Sequence, residues 1–256
     1  MIPAERQKQI LKKIMKEETV QVNQLSRKFA VSELTVRRDL EELSRQGLVE
    51  RKFGGAILVK KETKETEFNQ KAKEFSEEKE AIGRASLKFV EDGDTICINS
   101  GSTTSEVLKA ILLSSKKVTI ITNNIAVFSI LPSSTHNSTV IFTGGTYRGQ
   151  SNSVSGSLST PLLDKVFANK AFIGVDGFSL EQGLTTPIQE EAVTTCKMIE
   201  KTIGRVTVVA TGNKIGLISN YKTVATDKVD TIITDRKGGE ILKTLGDTDL
   251  KIIIAN

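Results

Sequence analysis

Two cysteines, one histidine and no apolar run longer than a few residues set the first limits on this 256-residue chain. Cys97 and Cys196 stand far apart, with neither a CxxC partner nor a His/Cys cluster around them, which argues against a disulfide framework and a structural zinc site. His136 lies in the loop-like PSSTHNST with no serine or cysteine nucleophile motif beside it. It reads as a solvated loop residue, and triad hydrolases drop out. The opening MIPAERQKQILKK is charged within five residues, and apolar stretches such as IIIA are too short to span a bilayer. No membrane partner and a cytoplasmic location are therefore expected. GK[ST] and GxGxxG are both missing, so neither a P-loop nor a dinucleotide site is expected, and no metal, cofactor or catalytic residue is assigned.

What is present is enough apolar sequence to bury a core, 38% hydrophobic against 26% charged residues, and an uneven charge. Residues 1–61 hold 14 lysines and arginines against 8 aspartates and glutamates, an excess of +6, while the remainder holds 22 against 23. A basic head on a nearly neutral body points to an N-terminal module for a polyanion and a different task downstream.

Ile10, Ile14 and Met15 fall at helical spacing in a first amphipathic segment, and Val22, Leu25 and Phe29 do so in a second, before Ala30 and Val31 break the pattern. Ser32 is a good N-cap, with Glu33 in the favourable first turn of a third helix. There Val36, Leu40 and Leu43 form the buried stripe. The opposite face centres on Arg38, flanked by Leu34, Glu41 and Arg45, with Thr35 and Arg37 nearer the side. Two helices across a short turn, with arginines near the outward start of the second, make a helix-turn-helix. Gly47 is read as its C-cap, and LVERKFGGAILV as two short strands around Gly54 and Gly55, a wing that places Arg51 and Lys52 near phosphates. The DNA-contacting set is then Ser32, Glu33, Leu34, Thr35, Arg37, Arg38, Arg51 and Lys52. SELTVRRDL, with the wing phrase ending in GGA, resembles the signature of the DeoR family of bacterial sugar-metabolism repressors. Phe53 departs from it, standing where the family usually has histidine before the two glycines; either residue can buttress a wing.

Lys60 to Glu80 is dense in mixed charge and almost free of aliphatic residues, so residues 61–76 read as a linker between a head at 1–60 and a domain at 77–256. The linker is expected to become helical along its length, and Lys71 and Lys79 within it read as solvated; the alternative, implied by the DeoR resemblance, is a coupling role between the domains. Beyond it, short β-rich runs alternate with helical stretches: 95–98, 118–122, 139–143, 171–175, 206–210, 231–234 and 251–254. That pattern predicts an α/β domain with a mostly parallel sheet. The strands run into Asn99–Thr104, Asn123–Asn124, Gly144–Gly145, Asp176–Gly177 and Thr211–Lys214, small and polar residues where open α/β sheets bind ligands. In NSGSTT, Gly101 flanked by Ser100, Ser102, Thr103 and Thr104 at a helix start is a phosphate-binding arrangement.

FIGVDGFSLEQGLTTPIQEEA and the loops TNN and TGG resemble the DeoR effector domain, which is similar to ribose-5-phosphate isomerases. The resemblance implies phosphate binding by Ser100–Thr104, with Asn99, Asn123, Asn124, Gly144 and Gly145 around it. It also implies that Asp176, Gly177, Thr185, Thr186 and Glu191 line the sugar end and that Lys214 supplies a cation. Asn99 and Thr211 stand where the family commonly has aspartate, removing two carboxylates. The expected molecule is a transcriptional regulator, most simply a repressor, with operator DNA and a phosphorylated sugar as partners, working as a homodimer or homotetramer. The alternative is a sugar-phosphate isomerase or deaminase carrying a DNA-binding head. It would need a second acid close behind Asp176 and a glycine-rich lysine loop, both missing.

Overall fold

The computed structural model describes residues 1–17, 19–45, 48–58, 67–131, 138–245 and 248–256. The chain divides into two units, Met1–Lys61 with Glu240–Thr248, and Glu62–Gly239 with Asp249–Asn256. Gly47 and His136 lie outside the described residues, as does the side chain of Met15.

The first sixty residues run α1 (Pro3–Glu17), β1 (Thr19–Gln21), α2 (Val22–Phe29), α3 (Glu33–Arg45), β2 (Val49–Lys52) and β3 (Gly55–Leu58). The stripes foreseen from periodicity are the buried ones: Ile10 and Ile14, Val22 and Leu25, then Val36, Leu40 and Leu43. Ala30 takes a left-handed φ of 51° and closes α2, with Val31 N–H donating to the Ser26 carbonyl. The Ser32 hydroxyl then accepts the Thr35 N–H at 3.2 Å, so the capping residue read from sequence starts α3. β2 and β3 form the expected hairpin. Thr19–Gln21 adds a third, unforeseen strand, antiparallel to β3, giving the order β1-β3-β2. Two charged side chains also sit in this core. Arg6 of α1 and Asp39 of α3 are both buried and joined by bonds of 2.5 and 3.2 Å, with Gln7 donating to the same carboxylate at 3.1 Å.

The rest of the chain runs α4 (Phe68–Lys73), α5 (Ser76–Leu87), β4 (Thr95–Ile98), α6 (Ser102–Leu112), β5 (Thr119–Thr122), α7 (Val127–Ile130), β6 (Thr139–Phe142), β7 (Thr146–Arg148), β8 (Ser153–Ser155), α8 (Thr160–Leu163), β9 (Ala168–Gly174), β10 (Gly177–Ser179), β11 (Gly183–Thr186), α9 (Gln189–Glu200), β12 (Thr202–Val209), β13 (Tyr221–Val224), β14 (Thr231–Thr234), α10 (Arg236–Leu245) and β15 (Lys251–Ile254). All seven apolar runs read as strands pair in one parallel sheet, ordered β15-β14-β12-β9-β4-β5-β6. Ile96, Ile98, Val107, Leu108, Ile111, Ile120, Phe172, Val209 and Ile233 belong to one buried cluster with Ile82 of α5. Successive strands step outward from β4 to β6, and the chain then returns to β9 on the other side of β4. The order reverses between β4 and β9, and loops diverging from two such strand ends leave a crevice. A second antiparallel sheet, β10-β11-β13, and the separate hairpin β7–β8 were not foreseen.

Candidate functional site

The crevice between the carboxyl ends of β4 and β9 is a formed cleft. Asn99, Ser100, Gly101, Ser102 and Thr103 follow β4, and Gly174, Val175 and Asp176 end β9. Gly101 has φ 154° and ψ 157°, a region that side chains with a Cβ rarely enter, so this bend between β4 and α6 needs glycine. Its carbonyl accepts bonds from Ser105 N–H (2.9 Å) and from the Thr104 (3.0 Å), Ser105 (2.8 Å) and Asn124 (3.3 Å) side chains. The carbonyl side of the bend is thus saturated. No side chain caps α6, so its first N–H groups remain as donors beside the cleft.

Opposite this loop stand the acids. Asp176 accepts Lys71 Nζ at 2.7 Å and the Thr186 hydroxyl at 3.2 Å. Glu191, on α9, lies 3.5 Å from the Ser153 hydroxyl and 3.8 Å from Arg148. Burial, aided by the Asp176 charge, raises the Glu191 carboxyl above its usual range, against the pull of Ser151, Lys71 and Arg148. Lys214 and Thr185 complete the set read from sequence.

Lys71 and Lys79 overturn the expectation of solvated linker side chains. Lys79 is 4% exposed, and its ammonium donates to the carbonyls of Lys71 and Glu74 at the end of α4. Burial first, then the charge of Lys214, pulls its ammonium down to about 8; Lys71 adds to that pull, while Glu74 and Glu106 oppose it. Helix α4 lies within the residues read as linker. It is tied over the cleft by the Lys71–Asp176 pair and by Phe68 N–H donating to Gln150 O at 2.8 Å. Phe68, Glu74, Phe75 and Ser151 also line the cleft. The available signal was a lysine pair spaced within a segment otherwise too polar to fold alone.

Other expected residues lie behind the cleft rather than on it. Thr104 is buried, and Asn124 braces the loop through Gly101 and Ser105 (3.0 Å). Asn123 donates to Val154 O at 2.9 Å, and Ser159 donates to Gly144 O at 2.6 Å, next to Gly145. Gly177 is packed against Leu217 and Thr185. Asn99 lines the cleft and clamps β4 to β9, accepting from Gly174 N–H at 2.8 Å while donating to Gly174 O at 3.0 Å. A carboxylate at that position could accept but not donate, which is the physical consequence of the missing aspartate. Thr211 donates to Asn213 at 2.6 Å, and Asp235 holds the same loop by accepting Gly212 N–H at 2.7 Å.

In the basic unit, Glu33, Leu34, Arg37 and Arg38 are exposed on α3, and Ser32 and Thr35 form its capped start. Arg37 lies 3.6 Å from Glu33; among the described residues Arg38 has no partner. On β2 the two wing cations separate. Lys52 is exposed and paired with Glu50 at 2.6 Å, whereas Arg51 shares the inward side with Val49 and buries one guanidinium nitrogen. Strand alternation forbids both from facing the same way, so only Lys52 shares the outward side. Phe53 buttresses nothing, being fully exposed at the hairpin tip.

Among the described residues no helix is long and apolar enough to cross a membrane, and no group of three or more His, Cys, Asp or Glu is placed to hold a metal. The DeoR-like helix-turn-helix domain matches residues 6–62, and the DeoR C terminal sensor domain matches residues 74–236. The HTH-type transcriptional regulator GolR of Listeria innocua is 32% identical over 257 residues, covering 100% of both chains. The HTH-type transcriptional repressor GlcR of Bacillus subtilis is 31% identical over 92% of this chain and 90% of the relative. Ribose 5 phosphate isomerase A from Neisseria gonorrhoeae overlaps 54% of this chain and 52% of that one at TM-score 0.40 and 14% identity, a likeness too low to bear on function.

Proposed function

The chain belongs to the DeoR family of helix-turn-helix transcriptional regulators, and we propose that it represses a carbohydrate-utilisation operon under the control of a phosphorylated sugar held in the β4/β9 cleft. As its relatives are transcriptional regulators, the chain is a regulator and not an enzyme. The domain matches at 6–62 and 74–236 support a DNA-binding head at 1–60, a connector at 61–76 and an effector domain at 77–256, although residues 62–76 group with the effector unit.

The observation that carries the effector reading is the pairing, in one cleft, of the uncapped α6 start with Lys71, Lys79 and Lys214 on one hand and Asp176 and Glu191 on the other. Backbone donors and cations suit a phosphate; carboxylates and the Thr186 hydroxyl suit sugar hydroxyls. Asp176 is paired to Lys71, so a sugar hydroxyl bonding to that carboxylate must share or displace the lysine that ties down α4. This helix lies within the connector, between the head and the effector domain, so it is the element through which ligand occupancy reaches the head. A thermal-shift screen of phosphorylated hexoses, pentoses and sugar acids tests the site: at least one is expected to stabilise the protein, and a uniformly flat screen would remove the reading.

Two further results are expected. Arg38→Ala should weaken operator binding at least about tenfold per half-site, the worth of one good base or phosphate contact, with effector binding unchanged. Undiminished affinity in a gel shift would move the contact elsewhere. Effector affinity should also fall as pH rises from 7 to 9. Lys79 titrates at about 8, so its charge is present below that pH and lost above it, while a phosphate with a second pKa of about 6 keeps its charge throughout. Calorimetry giving one affinity at both ends of the range would take Lys79 out of the phosphate site.

A single small DNA-binding module buries only about 600–1,000 Å² of its own surface on DNA, so paired half-sites and a homodimer or homotetramer complete the proposal.

A further inference from the structure

We propose that Phe53 is a wedge that enters the minor groove beside the recognition helix, stacks against a base step and bends the operator. This rests on the DNA-binding reading of the head. Phe53 and Gly54 form the two-residue turn of the β2–β3 hairpin, closed by the Lys52↔Gly55 pair. Gly54 supplies the positive φ of 75° that the turn needs, leaving Phe53 at the position where polar residues or proline serve as well. Turn chemistry therefore does not call for a phenyl ring. Packing does not either, because Phe53 is 110% exposed, more than any other large apolar side chain described.

Its neighbours set the partner. A groove runs between the start of α3 and the hairpin, lined by Glu33, Arg37, Lys52, Phe53 and Gly54. Residue 53 thus lines the same groove as a recognition-helix arginine and the outward wing lysine, in the part of the chain that holds the whole basic excess. Among the described residues of this unit, Leu34, 60% exposed on α3, is the other large apolar side chain left open beyond the first two. Cations around an unpaired aromatic ring complement a phosphate-lined groove with stacked bases inside it, and inserted phenylalanines kink duplexes by about 20–90°.

The test uses the full chain and a duplex selected by it from a random pool, with 2-aminopurine placed at successive steps beside the recognition half-site. Wild type is expected to raise the fluorescence at one step and to bend the duplex in a circular-permutation gel. Phe53→Ala should lose both signals and about tenfold or more in affinity, from the loss of roughly one base–aromatic stack, while Phe53→Trp should retain them. Wild-type binding with no fluorescent or bent step overturns the wedge. So does a Phe53→Ala protein that binds and bends as wild type does, including one altered only in self-association, which would assign the ring to a protein contact. If wild type selects no duplex at all, the DNA-binding reading itself falls.

Discussion

Replacing Asp39 by alanine is expected to unfold the DNA-binding head and abolish operator binding while the effector domain stays folded. Asp39 sits on the recognition helix but faces inward, where it receives two bonds from Arg6 and one from Gln7. Removing the carboxylate leaves the Arg6 guanidinium buried with its main counter-charge gone, a defect that costs about 3–5 kcal/mol. A unit of some sixty residues holds only about 3–9 kcal/mol of stability, so one substitution removes most of it. Amide hydrogen exchange should report the loss: α1 and α3 are expected to exchange at near-unfolded rates and the β4–β9 sheet to remain protected. Pairing Arg6→Met with Asp39→Leu replaces the ion pair by apolar groups of similar size and should restore most of the protection, because the penalty lies in the unpaired charge. Protection of α1 and α3 unchanged in Asp39→Ala would show that the pair contributes little.

That pair was legible in principle. Asp39 falls at i+3 from Val36 in the stripe that continues to Leu40 and Leu43, and Arg6 falls four residues before Ile10 in the stripe of α1. A charge in register with each apolar stripe signals a buried partner, but the period alone does not say which helix supplies it. The seven parallel strands were readable because each carries a short β-branched, apolar run with little polar alternation, even at the edges β6 and β15, which are only half-buried. The strands β7, β8, β10 and β11 were not, being three or four residues of Gly, Ser, Thr and a few larger side chains held by their neighbours in space. The segment of α4 reads as a linker that becomes helical, but its place over the cleft does not show in the sequence, for a similar reason. Its segment lacks aliphatic residues, and its anchor, Lys71 to Asp176, spans 105 residues of sequence. Asn124 shows the converse: an asparagine at a strand end looks like a ligand contact, yet here its amide is spent holding the loop that lines the cleft.

Ser102→Glu should abolish the response to effector and leave operator binding intact. Ser102 opens α6, where the helix dipole and unpaired N–H groups favour an anion and no side chain occupies the position. A glutamate there places its own carboxylate on those donors. The substitution suits the helix, since an acid in the first turn stabilises it by about 0.3–1 kcal/mol, so loss of response cannot be blamed on misfolding. The incoming phosphate, by contrast, meets an occupied seat and a like charge. Charge-assisted bonds are worth about 1.5–3 kcal/mol each, so displacing two of them should weaken effector binding by more than about a hundredfold. Ser102→Ala removes only a hydroxyl, worth about 0.5–1.5 kcal/mol, and should cost roughly tenfold or less. The measurement is calorimetric titration of both variants with the sugar phosphate found in the screen, followed by operator release in a gel shift. A Ser102→Glu protein that binds and responds as wild type does would move the phosphate away from the α6 start, and with it the assignment of Lys79 and Lys214 to the phosphate end of the cleft.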